Sequence, residues 1–227
     1  RILTAHISDR LFVTEPSGHA NLLREGANEA RIHFVGNTMI DSLETHLPAA
    51  LEREPWQAFG LRPGGYSLTT LHRPANVDNT DTLRGILSAL EETGRKWPVL
   101  FPAHPRTSQR IARGGIVLQN IRIIEPLGYL DFLGLMAQAK LVLTDSGGIQ
   151  EETTALGVPC ITIRENTERP VTVEQGTNRL AGTSKEGILA AVARVRTVSP
   201  DGRRPDLWDG QAAPRVVAVI EGWITRG

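Results

Sequence analysis

The segment TDSGGIQEE at residues 144–152 combines a hydroxyl group, two glycines and two carboxylates between a predicted buried strand and a helix. Ser146 suits the N-cap of that helix, because its hydroxyl can accept a hydrogen bond from a helix N–H group. Gly147 and Gly148 let a ligand approach the backbone closely. Free N–H groups and the helix dipole then favour a phosphate. The same residues are also compatible with a turn that only caps its helix.

The two carboxylates of this segment, Glu151 and Glu152, are not assigned to phosphate binding, because they lie too close to the predicted phosphate. A carboxylate one helical turn further along can accept hydrogen bonds from a sugar diol, as the acidic residue of dinucleotide-binding folds does. Helix geometry allows only one of two adjacent glutamates to face a cleft. The residues alone leave open which one does so, and a solvated pair at the helix start is the alternative.

Two histidine–arginine pairs end two further predicted strands, His72 with Arg73 and His104 with Arg106. Arginine presents a fork of donors that matches phosphate oxygens. Histidine can donate a hydrogen bond to phosphate or transfer a proton. Either histidine alone could be structural. Two such pairs and a phosphate-type loop, at the ends of three strands, should line one crevice.

Two arginines of RENTERP, Arg164 and Arg169, could add positive charge to this crevice or belong to a polar surface loop. Phe132 in GYLDFL could stack on a base or pack in the core. No spacing resembles a zinc site, a Walker A loop, a dinucleotide GxGxxG or a GxSxG elbow. We therefore expect no metal and no cofactor.

Short apolar runs alternate with helical stretches along the chain. Strands are predicted at residues 11–14, 30–37, 67–73, 98–106, 121–126, 140–144 and 158–163. Helices are predicted at residues 1–12, 17–25, 39–54, 79–93, 128–139, 149–157, 184–196 and 211–225, with Asn79 or Thr80 capping the fourth. This alternation favours an α/β fold with a doubly wound, parallel, Rossmann-like sheet, which binds ligands at the carboxyl ends of its strands.

A domain boundary is predicted between residues 37 and 60. Residues 1–37 are interpreted as the tail of a preceding Rossmann-like domain, and residues 38–227 as the main domain with a C-terminal crossover helix. The chain starts at Arg1 inside a helical pattern, so we expect a piece of a longer protein.

Composition excludes several classes of function. Lys plus Arg number 25 and Asp plus Glu number 25, so the chain lacks the basic balance of a nucleic-acid binder. No run of about 18 apolar residues predicts a membrane span. Cys160 is the single cysteine and cannot form an intrachain disulfide, which favours a reducing cytoplasm.

Seven segments resemble the non-hydrolysing UDP-N-acetylglucosamine 2-epimerases in order and spacing, over essentially the whole chain. They are GNTMIDSL, LHRPANVDN, PAHPRT, YLDFLGLM, LTDSGGIQEE, LGVPCITIRENTERP and QGTNRLAGT. The resemblance implies two Rossmann-like domains in the glycosyltransferase-B arrangement, with this chain covering the end of the first and the whole second, nucleotide-binding domain. It implies UDP and UDP-N-acetylhexosamines as ligands and a homodimer in the full-length form.

The resemblance also implies roles for particular residues. Ser146, Gly147 and Gly148 match the diphosphate-binding loop. Glu152, rather than Glu151, matches the residue that holds the ribose hydroxyls.

Other matched residues would contact the base, the phosphates and the sugar. Phe132 matches a position near the uracil. His72 matches an active-site histidine that contacts the phosphates and is needed for activity. Arg1 matches an arginine one turn after a catalytic glutamate that lies upstream of this chain. The expected substrate-binding set is completed by Arg73, His104 and Arg169.

The family reaction, as the resemblance implies it, interconverts UDP-GlcNAc and UDP-ManNAc by eliminating UDP across C1–C2 and adding it back. Its acid/base carboxylates come from the first domain. This polypeptide alone is therefore predicted to bind a uridine nucleotide at best weakly and not to epimerise. Many bacterial members carry His-Arg-Arg-Glu where this chain reads HRPA at residues 72–75, which predicts that activation by a second substrate molecule is missing.

Three alternatives stay open from the sequence. The first is a glycosyltransferase of the same two-domain fold that uses a UDP-sugar. The second is a hydrolysing relative that releases ManNAc and UDP. The third is a non-catalytic nucleotide-binding module, which would tolerate replacement of His72.

Overall fold

The computed structural model describes residues 1–115, 117–197 and 204–225, without the side chains of residues 196 and 197. The chain divides into two compact units, one of Arg1–His46 with Arg204–Gly227 and the other of Leu47–Arg203. The division falls inside the predicted boundary region of residues 37–60. The assignment of residues 1–37 and 38–227 to two domains of a larger protein stays a prediction.

The described residues form eight strands and eleven α-helices. The strands are β1 Leu11–Val13, β2 Ile32–Phe34, β3 Ser67–Thr70, β4 Val99–Pro102, β5 Ile121–Ile124, β6 Leu141–Thr144, β7 Cys160–Thr162 and β8 Asn178–Leu180. The helices are α1 Ile2–Ile7, α2 Pro16–Arg24, α3 Thr38–Glu52, α4 Pro74–Val77, α5 Thr80–Gly94, α6 Pro105–Arg113, α7 Tyr129–Ala137, α8 Gly147–Leu156, α9 Pro170–Glu174, α10 Lys185–Thr197 and α11 Ala212–Ile224.

The smaller unit contains a two-stranded parallel sheet of β1 and β2. Its C-terminal part packs on the loops that follow these strands. Trp208 is buried, and its indole Nε1 donates a hydrogen bond to the carbonyl oxygen of Thr14 at 2.9 Å. Gly36 has a φ of +89°, and a Cβ there would lie 2.0 Å from the carbonyl oxygen of Leu207. Only glycine therefore fits at this contact.

The larger unit is built on a six-stranded parallel sheet with the order β5-β4-β3-β6-β7-β8. The strand order runs outward from β3 to β5, then resumes at β6 and runs the other way to β8. This is the doubly wound arrangement, and the order reverses between β3 and β6. The predicted α/β fold with a doubly wound, Rossmann-like sheet is confirmed.

Burial explains why the central strands read as continuous apolar runs. All four residues of β6 and all three of β7 are buried, as expected of a parallel sheet covered on both faces. Helix α5 contributes Leu83, Ile86, Leu87 and Leu90, whose spacing places them on one face, and all four belong to the main hydrophobic core. Asn79 caps α5 as predicted, accepting hydrogen bonds from two backbone N–H groups at 3.0 Å.

Three short helices interrupt segments that the sequence pattern left extended or irregular, and each begins with a proline. Pro74 begins α4, Pro105 begins α6 and Pro170 begins α9. Proline suits the first helical position because its fixed φ is helical and no N–H group is lost from the helix. The predicted strand at 67–73 therefore ends at Thr70, and the one at 98–106 ends at Pro102. Strand β8 was not predicted.

Candidate nucleotide-binding site

The candidate site lies at the carboxyl ends of β3 and β6, where the strand order reverses. The two strands are paired in register, with Thr70 beside Thr144. The hydroxyls of these two threonines lie 2.7 Å apart. Chain segments leaving such a pair diverge, which opens a crevice at this edge of a sheet. The residues that follow are His72 and Arg73 after β3, and Asp145 and Ser146 after β6.

Asp145, which follows β6, accepts hydrogen bonds from the segment that follows β3. Its side chain is fully buried, and its carboxylate accepts the backbone N–H groups of His72 at 3.1 Å and Arg73 at 3.0 Å. It also accepts the side-chain amide of Asn76 at 3.1 Å. These donors compensate a carboxylate that would otherwise be costly to bury. Sequence reasoning missed Asp145 as a site residue, although an aspartate directly after the buried strand LVLT is a signal for such a role.

His72 follows the carboxyl end of β3 and lies beside Asp145. Its Nδ1 lies 2.8 Å from Oδ1 of Asp145, while 59% of the side chain remains exposed. The imidazole is thus held by its inner nitrogen and open at the outer one. An exposed ring edge of this kind can donate to, or accept from, a bound ligand.

The first turn of α8 differs from the prediction in one respect. Ser146 is the N-cap residue, but its hydroxyl makes no capping hydrogen bond. Its backbone N–H donates instead to the hydroxyl of Thr144 at 3.0 Å, and its carbonyl accepts the side-chain amide of Gln150 at 3.1 Å. The Ser146 position is fixed by these two backbone contacts. Its hydroxyl and the first N–H groups of the helix therefore need other partners.

Gly147 is not required by the packing of the protein itself. Its φ is not positive, and a Cβ there would meet Oε2 of Glu168 at 3.8 Å, an ordinary contact distance. Neither backbone strain nor a clash explains glycine at this position. A glycine here leaves the backbone open to close approach by a ligand.

Positive charge next to the helix start comes from Arg73 and Arg164, which share the carboxylate of Glu168. The buried Arg164 donates two hydrogen bonds to Glu168 at 2.7 and 2.9 Å. Arg73 lies 3.3 Å from the same carboxylate and donates through Nε to the carbonyl oxygen of Asp145 at 3.1 Å. Hydrogen bonds from Arg164 and the charges of both arginines lower the pKa of Glu168 to about 2. Glu168 is therefore ionised at neutral pH.

The two adjacent glutamates of α8, Glu151 and Glu152, are both buried. Glu151 Oε1 lies 2.9 Å from Nε of Arg169, so this predicted substrate-binding arginine has an internal partner. Glu152 accepts the hydroxyl of Tyr129 at 3.2 Å. Burial, together with the charge of Glu151, raises the pKa of Glu152 although the Tyr129 hydrogen bond opposes the rise. Burial and the nearby Glu152 raise the pKa of Tyr129 to about 12.

Of the remaining predicted site residues, His104 and Phe132 belong to the larger unit and Arg1 to the smaller one. His104 caps α6 by accepting the N–H of Arg106 through Nδ1 at 3.3 Å, and its side chain is exposed. Phe132 lies half-buried on α7, one turn after Tyr129. Arg1 belongs to the smaller unit, where its Nη1 donates to Oε2 of Glu25 at 2.9 Å.

Over residues 1–115, 117–197 and 204–225, no cluster of three or more His, Cys, Asp or Glu side chains could hold a metal ion. In the same described ranges, no helix has the length and apolar character that a membrane crossing requires.

Comparison with known proteins assigns the chain to a family. A family model described as UDP-N-acetylglucosamine 2-epimerase matches residues 1–221. The chain belongs to this family. The UDP-N-acetylglucosamine 2-epimerase of Methanocaldococcus jannaschii is 41% identical over 230 residues, which are 97% of this chain and 63% of that protein. The chain thus spans less than two thirds of the length of the curated relatives it matches.

A solved structure of the same enzyme, from Methanocaldococcus jannaschii, is described as a complex with UDP-GlcNAc and UDP. It matches with a TM-score of 0.82 and 40% identity, covering 97% of this chain and 63% of that one. A relative named UDP-2,3-diacetamido-2,3-dideoxy-D-glucuronate 2-epimerase, from Pseudomonas aeruginosa, is 37% identical over 97% of this chain and 62% of its own length. The relatives of this family therefore include epimerases of more than one UDP-sugar.

Proposed function

We propose that this chain is the nucleotide-binding part of an isomerase that interconverts UDP-GlcNAc and UDP-ManNAc. The observation that carries the proposal is the juxtaposition of His72 and the glycine-started helix α8 at the point where the strand order reverses, held there by Asp145. Membership of the epimerase family supports it. We further propose that the chain is the second domain of a glycosyltransferase-B arrangement. The full-length protein is proposed to be a homodimer.

The diphosphate is proposed to bind at the start of α8. The N–H groups of the first turn and the positive end of the helix dipole favour an anion there. Gly147 leaves the backbone open to close approach, and the hydroxyl of Ser146 is available because it makes no capping bond. Gly148 belongs to the same loop. Arg73 adds a partly exposed guanidinium that an incoming phosphate can share with Glu168.

The uridine is proposed to lie along α8 toward α7. Glu152 is the acceptor for the two ribose hydroxyls, because its carboxylate is buried one turn beyond the phosphate loop and already accepts a hydroxyl from Tyr129. Phe132, on the same helix as Tyr129, is placed near the uracil. His104 and Arg169 are proposed to border the crevice, and Arg1 to act from the preceding part of the protein.

The proposed reaction conserves all atoms of the substrate. A base removes the proton from C2, the C1–O bond breaks, and UDP departs with the bonding electron pair, leaving 2-acetamidoglucal. A proton then reaches C2 from the opposite face, and a phosphate oxygen of UDP adds back to C1. His72 is proposed to hold the departing phosphate through its outer nitrogen, which stabilises the charge that develops there. The acid and base carboxylates are assigned to the preceding domain of the whole protein.

A second candidate substrate is supported by the relatives. The 37% identical Pseudomonas aeruginosa protein is named for a diacetamido uronate sugar on UDP. The residues assigned here contact nucleotide and diphosphate, so they fit either sugar. A reducing, cytoplasmic location is part of the proposal and rests on the free, buried thiol of Cys160.

Product analysis by NMR tests the proposed activity on the protein made with any residues that precede Arg1. Incubation with UDP-GlcNAc in deuterium oxide should give UDP-ManNAc that carries deuterium at C2, with no net release of UDP. Free ManNAc with UDP would indicate the hydrolysing relative instead. Turnover only with an added sugar acceptor would indicate a glycosyltransferase, and binding of UDP without any turnover would indicate a nucleotide-binding module.

A further inference from the structure

The carboxylate of Asp145 contacts a histidine side chain as well as backbone N–H groups. Besides the N–H groups of His72 and Arg73 and the amide of Asn76, it contacts the imidazole of His72 at 2.8 Å. The side chain has no exposed surface at all. Two oxygens thus face four donors, and two of these are backbone N–H groups of the segment that joins β3 to α4.

An ionised carboxylate only accepts hydrogen bonds. The nitrogen of His72 that faces it, Nδ1, must therefore carry a proton whether the ring is neutral or charged. In the neutral ring this leaves Nε2 as the acceptor, and in the charged ring it makes Nε2 a donor. Asp145 consequently fixes both the orientation of the ring and the identity of the nitrogen offered to the crevice.

We propose that Asp145 is the positioning residue of His72, holding Nδ1 protonated and Nε2 directed to the ligand. The proposal rests on the function proposed above only where turnover is concerned. Asp145 also directly precedes Ser146, and its carbonyl oxygen accepts the Nε of Arg73 at 3.1 Å. These two links belong to the backbone of Asp145, so they remain when only its side chain is changed.

The geometry is tested without any variant of Asp145. The ring nitrogens of the six histidines are observed by 15N–1H NMR on the 227-residue chain, and the signals of His72 are identified by their loss in His72→Gln. The neutral ring of His72 should show the proton on Nδ1. A proton on Nε2, or rapid averaging between the two nitrogens as in a free imidazole, would overturn the proposal.

The consequence for turnover is tested with Asp145→Asn, His72→Ala and the double variant in the protein with any residues that precede Arg1. A residue that acts through His72 should lower kcat rather than raise KM. The double variant should be no slower than His72→Ala alone, because groups that act as a unit are not additive. Losses that multiply in the double variant would show an independent, structural role and overturn the proposal.

Asn76→Ala is the matched control, because it removes one donor from the same carboxylate without touching the imidazole. It should leave the Nδ1–H form of His72 in place, and a change to the Nε2–H form would contradict the assignment to Asp145. If Asp145→Asn does not fold, the NMR result on the unmodified chain still decides the proposal. An Nδ1–H ring in a protein that does not epimerise would reject the proposed function and leave the positioning of His72 standing.

Discussion

Glu151 and Glu152 are neighbours in the chain and both buried, yet they contact different elements. Glu151 pairs with Arg169 at the start of α9, whereas Glu152 receives the hydroxyl of Tyr129 from α7. Glu151 has an arginine partner inside the fold. Among the described residues, Glu152 has the hydroxyl of Tyr129 as its hydrogen-bond partner, and its pKa is raised chiefly by burial. A carboxylate held in an unfavourable environment is a candidate functional group.

Glu152→Ala should weaken UDP binding to the chain by about 1–3 kcal/mol, through loss of charge-assisted hydrogen bonds to the ribose. The free energy of unfolding should not fall much, because the buried carboxylate is not stabilised by a positive partner. Calorimetric titration and urea unfolding measure the two effects. Glu186→Ala, at an exposed glutamate of α10, is the control and should alter neither. Unchanged UDP affinity in Glu152→Ala would remove the ribose assignment.

His72→Ala should lower kcat by about 10²–10³, the usual effect of removing one donor to a developing negative charge. The measurement is initial-rate kinetics with UDP-GlcNAc on the protein with any residues that precede Arg1. His46→Ala replaces an exposed histidine on α3 and serves as the control. A loss below tenfold would take His72 out of the catalytic set.

Gly147→Ala separates ligand binding from folding. Because the φ is not positive and the new Cβ would meet only an ordinary contact, the variant should be as stable as the original or more stable by about 0.4–1 kcal/mol. UDP affinity should nevertheless fall at least about tenfold, or about 1.4 kcal/mol, because the methyl group occupies the space of the diphosphate.

Gly85→Ala provides the comparison for this variant. Gly85 lies within α5, and a Cβ there would contact nothing within 4 Å. It should gain stability similarly and keep its UDP affinity. If Gly147→Ala also keeps full affinity, the diphosphate does not approach the backbone at the start of α8.

Glu168 gives the stability of the larger unit a defined pH dependence. Its pKa is lowered in the folded chain from the ordinary 4.5 to about 2. Its stabilising effect is therefore complete above about pH 4.5 and is lost as the pH falls toward 2. Since its side chain is 56% exposed, solvent screening limits the effect to about 1 kcal/mol or less.

Urea unfolding at pH 7 and pH 3 tests this dependence in Glu168→Gln. The difference in unfolding free energy between this variant and the original chain should be clear at pH 7 and smaller at pH 3. Glu92→Gln removes an exposed glutamate paired loosely with Lys185 at 3.7 Å and should show little difference at either pH. A difference that is the same at both pH values for Glu168→Gln would contradict the ion-pair assignment.

The sequence was sufficient for five of the six strands of the larger sheet, β3 to β7, because apolar runs and strand–helix alternation are local signals. It was insufficient where a partner distant in the chain decides the outcome. The pairing of Asp145 with His72 joins positions 73 residues apart, and that of Tyr129 with Glu152 joins positions 23 apart. Helices α4 and α9 were missed because four or five residues are too few to show a periodic pattern. Ser146 looked like a capping side chain, but its hydroxyl makes no capping bond.

The most direct test of the account is calorimetric titration of UDP into the 227-residue chain, repeated with Gly147→Ala and Gly85→Ala. We predict weak, saturable binding of one UDP per chain, which Gly147→Ala abolishes and Gly85→Ala retains. This result would place the diphosphate at the start of α8. Absence of saturable binding to the chain, or equal binding by Gly147→Ala, would contradict the claim that the Ser146–Glu152 segment holds the nucleotide.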